Sequence, residues 1–220
     1  MRHFDEIFAI AAERKGGTER LEALLPVPRP PEELAAIPEH RWLASFARHL
    51  FAPGLSWSVI EAKWPGFEEA FGGFDPDACA MIADDRFDAL LADARIVRHG
   101  AKIRAVQENA VFLQELRAEG GIGRVVADWP GTRYHELIAL LKTRGARLGG
   151  STGPYALRAM GRDGYILSKD VTARLVAEGV VEKAPGSKAA MAAVQAAFNT
   201  WAEQSGRGLS QISRVLAASI

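Results

Sequence analysis

Apolar residues recur at intervals of three and four along most of the chain: in Phe4 to Ala12, Trp42 to Phe51, Phe87 to Leu91, Ile103 to Leu116, Tyr134 to Leu141 and Ala189 to Trp201. That spacing lines one face of a helix with apolar side chains and leaves the other face polar. No stretch alternates apolar and polar positions with β-branched enrichment, so no strand is predicted. Proline and glycine fall between the helical segments, at Pro26 to Pro31, Gly72-Gly73, Gly120 to Gly123, Gly149-Gly150 and Pro185-Gly186. The pattern predicts an all-α protein of about nine or ten helices of ordinary length. Pro26 to Pro31 is predicted to be an extended connector, because each proline fixes its own φ and biases the residue before it away from helix.

A chain of 220 residues can bury a full core without a disulfide or a metal. We expect residues 1–220 to form a single helical domain. Cys79 is the only cysteine, which excludes an internal disulfide and a cysteine-based zinc cluster and points to a reducing compartment. The chain starts Met-Arg-His-Phe-Asp-Glu, with acids where a secretory signal would be apolar, and no run approaches the roughly 18 apolar residues of a bilayer span. The expected location is cytoplasmic, with no membrane partner.

Lys plus Arg and Asp plus Glu balance at 27 each, so bulk charge does not draw this protein to nucleic acid. Its distribution does more. Acids dominate from Glu61 to Asp93, whereas Arg95 to Arg104 holds four bases and Leu137 to Arg162 holds five, with no acid in either stretch. Such segregation can build a local positive face on a neutral protein, as phosphate contact requires; a solvated basic surface without a partner is the alternative. Arg98 and Lys102, with His99 between them, are candidates for that contact.

The second basic stretch has its own pattern. A helix over Glu136 to Arg144 is stopped by Gly145, a glycine-rich segment runs to Gly153, and Pro154 is predicted to open a second helix through Met160. Glycines allow close backbone approach to a phosphate, and free amides at a helix start offer donors to it. Lys142, Arg144, Arg147, Gly150, Gly153 and Tyr155 are the candidate DNA contacts of this hairpin. A plain turn between packed helices is the competing reading, with Tyr155 packed inward.

This hairpin, with Gly153-Pro154-Tyr155 at its second helix, resembles the helix-hairpin-helix element of the DNA glycosylase superfamily. Gly54-Leu55-Ser56-Trp57, Phe74-Asp75-Pro76, the run Ile96 to Ile103 and Asn109-Ala110 together resemble the bacterial 3-methyladenine DNA glycosylase I family in residues and spacing. The resemblance spans about Arg41 to Val171, and it implies a two-lobed helical glycosylase fold and excision of an alkylated purine flipped out of duplex DNA. Trp57 matches the pocket tryptophan of that family. His49 stands where the family has a base-reading glutamate; histidine can donate or accept but carries no fixed negative charge. Trp42 and Phe46 share a helical face leading to His49 and are candidate walls of the same base pocket.

Other family features are missing. Nothing in Met1 to His40 matches the tyrosine-containing pocket motif, and the zinc ligands are replaced, with Asp170 and Arg174 at two of their positions, so neither metal nor cofactor is expected. The N-terminal helix and the segment from Lys188 to Ile220 are expected to fasten the termini by packing instead. Many helix-hairpin-helix glycosylases carry a catalytic aspartate where Ser168 falls here, two residues before Asp170. Asp170 is kept as a candidate electrostatic stabiliser of the cationic sugar, against a plain role as a helix N-terminal acid after a Ser168 cap.

No hydrolase triad spacing, Gly-Lys-Ser/Thr phosphate loop or dinucleotide fingerprint is present. The leading expectation is a monomeric DNA N-glycosylase acting on double-stranded DNA that contains a damaged base. A non-catalytic DNA-binding or damage-sensing protein on the same fold is the alternative, and a helical interaction protein is the third class.

Overall fold

The structure is a computed structural model that describes residues 1–220. It is all-helical, with fourteen α-helices and no strand. The count exceeds the expectation because α2 (Thr18–Glu22), α3 (Pro31–Ala35) and α6 (Pro76–Ala80) are five residues each, too short to display a 3.6-residue period. Proline is also not confined to the breaks: Pro65 sits inside α5 (Trp57–Ala70), where it withholds one ladder hydrogen bond. No helix is long and apolar enough to cross a membrane.

The chain divides into two compact units. One comprises Met1–Arg29, Trp129–Leu137 and Gly161–Ile220, the other Pro30–Asp128 and Ile138–Met160. The first division falls inside the proline-rich run, where the residues from 26 to 30 are without regular structure.

The unit of Pro30–Asp128 and Ile138–Met160 is built on α4 (Glu39–Phe51), which buries Trp42, Leu43, Phe46, Ala47, Leu50 and Phe51. It packs on α8 (Gly100–Leu116) and on α11 (Thr152–Ala159). Arg117, just past α8, ion-pairs with Glu39 at the start of α4 and with Asp77 in α6, at 2.8 and 2.7 Å, and so ties three elements together.

The unit that contains both termini packs α1 (Phe4–Lys15), α12 (Lys169–Ala177), α13 (Lys188–Ser205) and α14 (Leu209–Ala218) around a run of rings. Tyr134 meets Tyr165 edge-on, Tyr165 stacks on Phe198 at 4.4 Å, and Phe198 meets Trp201 edge-on. The termini are held by packing of α1 against α13 and α14, as expected, and also by a polar clasp that the sequence did not announce. Glu178 accepts from the Arg2 backbone N–H and guanidinium at 2.8 and 2.6 Å and from Arg174 at 3.3 Å. Arg174 in turn donates to the Ser219 hydroxyl at 2.8 Å and carbonyl at 2.5 Å. Trp201 Nε1 donates to the Arg2 carbonyl, and Gln204 accepts from Phe4 N.

Candidate functional site

Trp57 is the first residue of α5, after a turn that passes through Gly54 at φ 87°. Lys102 holds this turn from α8: its ammonium donates to the Phe51 carbonyl at 3.1 Å and the Pro53 carbonyl at 2.9 Å. A cation there complements the free carbonyls at the C-terminal end of α4. Burial, and then the nearby charge of Arg147, lower the Lys102 pKa. Two of the three ammonium donors of Lys102 are thus spent on the turn that leads into Trp57.

Trp57 is 47% exposed, the most exposed of the Trp, Tyr and Phe side chains. His49, in the last turn of α4, meets it edge-on with ring centres 5.3 Å apart. Nδ1 of His49 lies 2.8 Å from the Ser45 carbonyl. A carbonyl oxygen only accepts, so Nδ1 carries the proton, and in the neutral ring Nε2 keeps its lone pair. Burial lowers the His49 pKa; the Ser45 carbonyl opposes this, and the Arg48 charge adds to it. His49 is thus a neutral ring, 8% exposed, whose hydrogen bond within the protein is made through Nδ1.

The charged and aromatic residues around this pair were not foreseen. The Arg48 guanidinium lies 5.9 Å from the Trp57 ring centre and 5.4 Å from that of Trp64, and it reaches Glu61 at 3.4 Å. Trp64 is half-buried; it stacks on Phe74 at 5.4 Å and donates Nε1 to Glu68 at 3.0 Å. Glu68 is clamped by both terminal nitrogens of Arg41. The seven-residue spacing of Trp57 and Trp64, which puts them on one face of α5, was the available signal.

Trp42 and Phe46 do not share the exposure of Trp57. Both are completely buried and pack with ring centres 6.4 Å apart, so as the structure stands they offer no surface to a ligand.

The hairpin lies between α10 (Tyr134–Arg144) and α11. The second helix starts at Thr152, not at Pro154, which occupies its third position; the first-turn amides have no helical partner, so proline fits there equally well. Gly153 is buried, and a Cβ on it would stand 2.5 Å from the Leu148 carbonyl, so this glycine is needed for closure of the hairpin itself. Gly150, at φ 60° with open space around it, is the glycine free for close approach by another molecule. Asn109 fixes the hairpin from α8, accepting from Ala146 N at 2.9 Å and donating to its carbonyl at 3.0 Å. That pairing explains a buried polar residue which the sequence offered only as part of a motif.

Lys142, Arg147 and Arg98 are exposed and make no ion pair. Arg144 differs: it pairs with Glu119 at 2.9 Å and Glu115 at 3.4 Å, which occupies its guanidinium. Tyr155 is 45% exposed, so the inward packing considered for it is not what the structure shows. Arg98 and His99 precede α8, with His99 capping the Lys102 N–H, so the three residues of that run do not lie on one helix.

Asp170 belongs to the other unit, apart in the chain from the residues above. It is an exposed acid in the first turn of α12, where Ser168 Oγ caps Val171 N at 3.2 Å as expected.

Residues 43–126 match the methyladenine glycosylase family model, a span that holds His49, Trp57, Trp64 and Asn109. The chain is similar to DNA-3-methyladenine glycosylase of Haemophilus influenzae, 37% identical over 57 residues, which are 26% of this chain and 31% of that protein. It is 33% identical over 67 residues to DNA-3-methyladenine glycosylase 1 of Escherichia coli K12, covering 30% of this chain and 36% of that protein. The chain thus aligns with about a third of the length of these relatives. Among solved structures, 3-methyladenine DNA glycosylase I of Staphylococcus aureus superposes with a TM-score of 0.52 at 22% identity, over 69% of this chain and 91% of that one. The 8-oxoguanine glycosylase/lyase of Methanocaldococcus jannaschii, solved with DNA containing 8-oxoguanine, superposes at TM-score 0.52 and 11% identity over 96% of this chain and 95% of that one. The fold is that of the helical DNA glycosylases, and the sequence resembles the methyladenine glycosylase family across the segment that carries Trp57.

Proposed function

We propose that this chain is a DNA N-glycosylase that takes a damaged base, an alkylated purine such as 3-methyladenine, out of duplex DNA and hydrolyses its N-glycosidic bond. The observation that carries this reading is Trp57, a large ring left half exposed on a rigid helix start, with the unpaired Nε2 of His49 beside it, inside the segment that matches the methyladenine glycosylase family. A flipped base loses its stacking, and an aromatic face restores part of it. Lys142, Arg147, Arg98 and the Gly150 amide are the groups proposed to hold the phosphates. Such contacts fix register without reading sequence, as an enzyme that inspects any duplex requires.

In the reaction, the bond from C1′ to the purine nitrogen breaks with its electron pair leaving on the base, and water adds its oxygen to C1′. The water proton is released, leaving a free base and an abasic site. An alkylated adenine is already an activated leaving group, so the site has chiefly to position it.

The test is chromatographic detection of free bases released from methylated duplex DNA by the purified protein, with His49→Ala beside it. Release of an alkylpurine that falls in the variant supports the reading. No release from any alkylated duplex, with binding retained, replaces it by a non-catalytic DNA-binding protein.

A further inference from the structure

We propose that Lys102 and Asn109 are positioning residues that use α8 as a strut, setting the distance between the Trp57 ring and the hairpin that grips the duplex. This rests on the glycosylase reading and adds to it the parts that hold its geometry. Each residue makes a two-point clamp on a segment outside its own helix. The Lys102 ammonium donates to the Phe51 carbonyl at 3.1 Å and the Pro53 carbonyl at 2.9 Å, and so pins the turn that runs through Gly54 into Trp57. Asn109, completely buried, accepts from Ala146 N at 2.9 Å and donates to the Ala146 carbonyl at 3.0 Å. The next residue, Arg147, has its backbone in the left-handed region at φ 57°, which residues other than glycine rarely adopt. The two bonds at Ala146 hold this bend from α8.

Lys102 and Asn109 are seven residues apart in α8. That is two helical turns less about 20°, so the clamps leave one face of the helix, about 10 Å apart along its axis. Beside and between them Ile103, Val106 and Ala110 are completely buried, and α8 packs on α4, the helix whose end Lys102 caps. In a close-packed interior this stretch of α8 cannot tilt without opening the core. All of these residues lie within the unit of Pro30–Asp128 and Ile138–Met160. Base release requires the ring to meet the base while the hairpin holds the backbone of the same duplex, and a displacement of about 1 Å in such an arrangement costs about 100-fold in rate. One helix clamped to both parts supplies that accuracy, which neither the turn nor the hairpin has by itself.

The experiment measures single-turnover base release from methylated duplex DNA, and duplex affinity across salt concentrations, for the full chain with Lys102→Met, Lys102→Arg, Asn109→Ala, and Lys102→Met combined with Asn109→Ala. Lys102→Met is expected to slow release about 10- to 100-fold, with duplex affinity within about twofold of wild type and its salt slope unchanged. Lys102→Arg, which keeps donors for both carbonyls, restores most of the rate. Asn109→Ala slows release as well; should it fail to fold, Asn109→Asp, which keeps the acceptor for the Ala146 N–H, takes its place. Because both clamps serve one distance, the double variant loses less than the product of the two single losses. A salt slope lowered by about 1 in Lys102→Met makes that lysine a phosphate ligand and overturns the inference. Release at the wild-type rate by the folded Lys102→Met variant, or losses that multiply, also overturns it, and each of these results leaves the glycosylase reading standing. No release by the wild-type chain removes the reading and the inference together.

Discussion

The clasp at the termini and the His49–Trp57 pair use buried polar residues to opposite ends. At the clasp, Glu178 and Arg174 are buried and their polar atoms are spent on one another, on Arg2 and on Ser219. At the pair, His49 is almost as buried, yet one of its two nitrogens bonds no protein group, and the ring next to it is half exposed. Polar atoms already paired within the fold have nothing left for a ligand, whereas a nitrogen without a protein partner is available to one.

The strongest challenge to this contrast is Glu178→Ala. It leaves the Arg174 guanidinium buried with fewer partners and should lower stability by about 3 kcal/mol, read as a fall in the denaturant midpoint. Base release by the protein that remains folded should be unchanged. Near-unchanged stability would mean that the clasp is not the fastening it looks to be.

Trp57→Ala should behave in reverse. Its ring is half solvent-exposed, so the denaturant midpoint should hardly move, while base release falls at least about 100-fold through lost stacking and positioning. Equal activity in the variant and wild type would remove Trp57 from the site.

Lys142→Ala combined with Arg147→Ala should weaken duplex binding without altering which base is released. The slope of log affinity against log salt should fall by about 2 if each makes one phosphate contact. Arg144→Ala, whose guanidinium already serves Glu115 and Glu119, should leave that slope nearly unchanged.

The smallest expected effect is on pH. Burial holds the His49 pKa below its ordinary value of 6.5. The unfolded chain therefore takes up that proton first as pH falls, and stability contributed by the neutral ring, fully present above 6.5, is lost progressively below it. The Glu178 carboxyl shows the opposite perturbations: burial pushes its pKa up, but the hydrogen bonds and charge of Arg2 outweigh this and bring it below 4.5. Its contribution is present above 4.5 and is lost only at lower pH. Denaturant midpoints at pH 8, 6 and 5 should show the first loss, and His49→Leu should remove it.

Much of the architecture was legible in the chain because helical periodicity is a local property: the apolar faces of α4, α8, α10 and α13 can be read from spacing alone. The one-turn helices and Pro65 inside α5 were not, because a single turn has no period and a proline in a helix is decided by what packs around it. The motif around Trp57 and the hairpin could also be read, as could the Ser168 cap. By contrast, Lys102 and Arg144 looked like phosphate ligands from charge alone. Only their partners, the Phe51 and Pro53 carbonyls and two glutamates distant in sequence, show them to be engaged.

The sequence by itself determined the helical class, the position of the exposed tryptophan motif, and the histidine in place of a glutamate. Tertiary structure alone decided what these residues do: that Trp42 and Phe46 are core, that Gly153 serves closure while Gly150 stays open, and that His49 keeps one acceptor free. The reason is that identity and periodicity are carried along the chain, whereas burial and the pairing of each donor and acceptor are set by atoms that sequence separates and folding brings together.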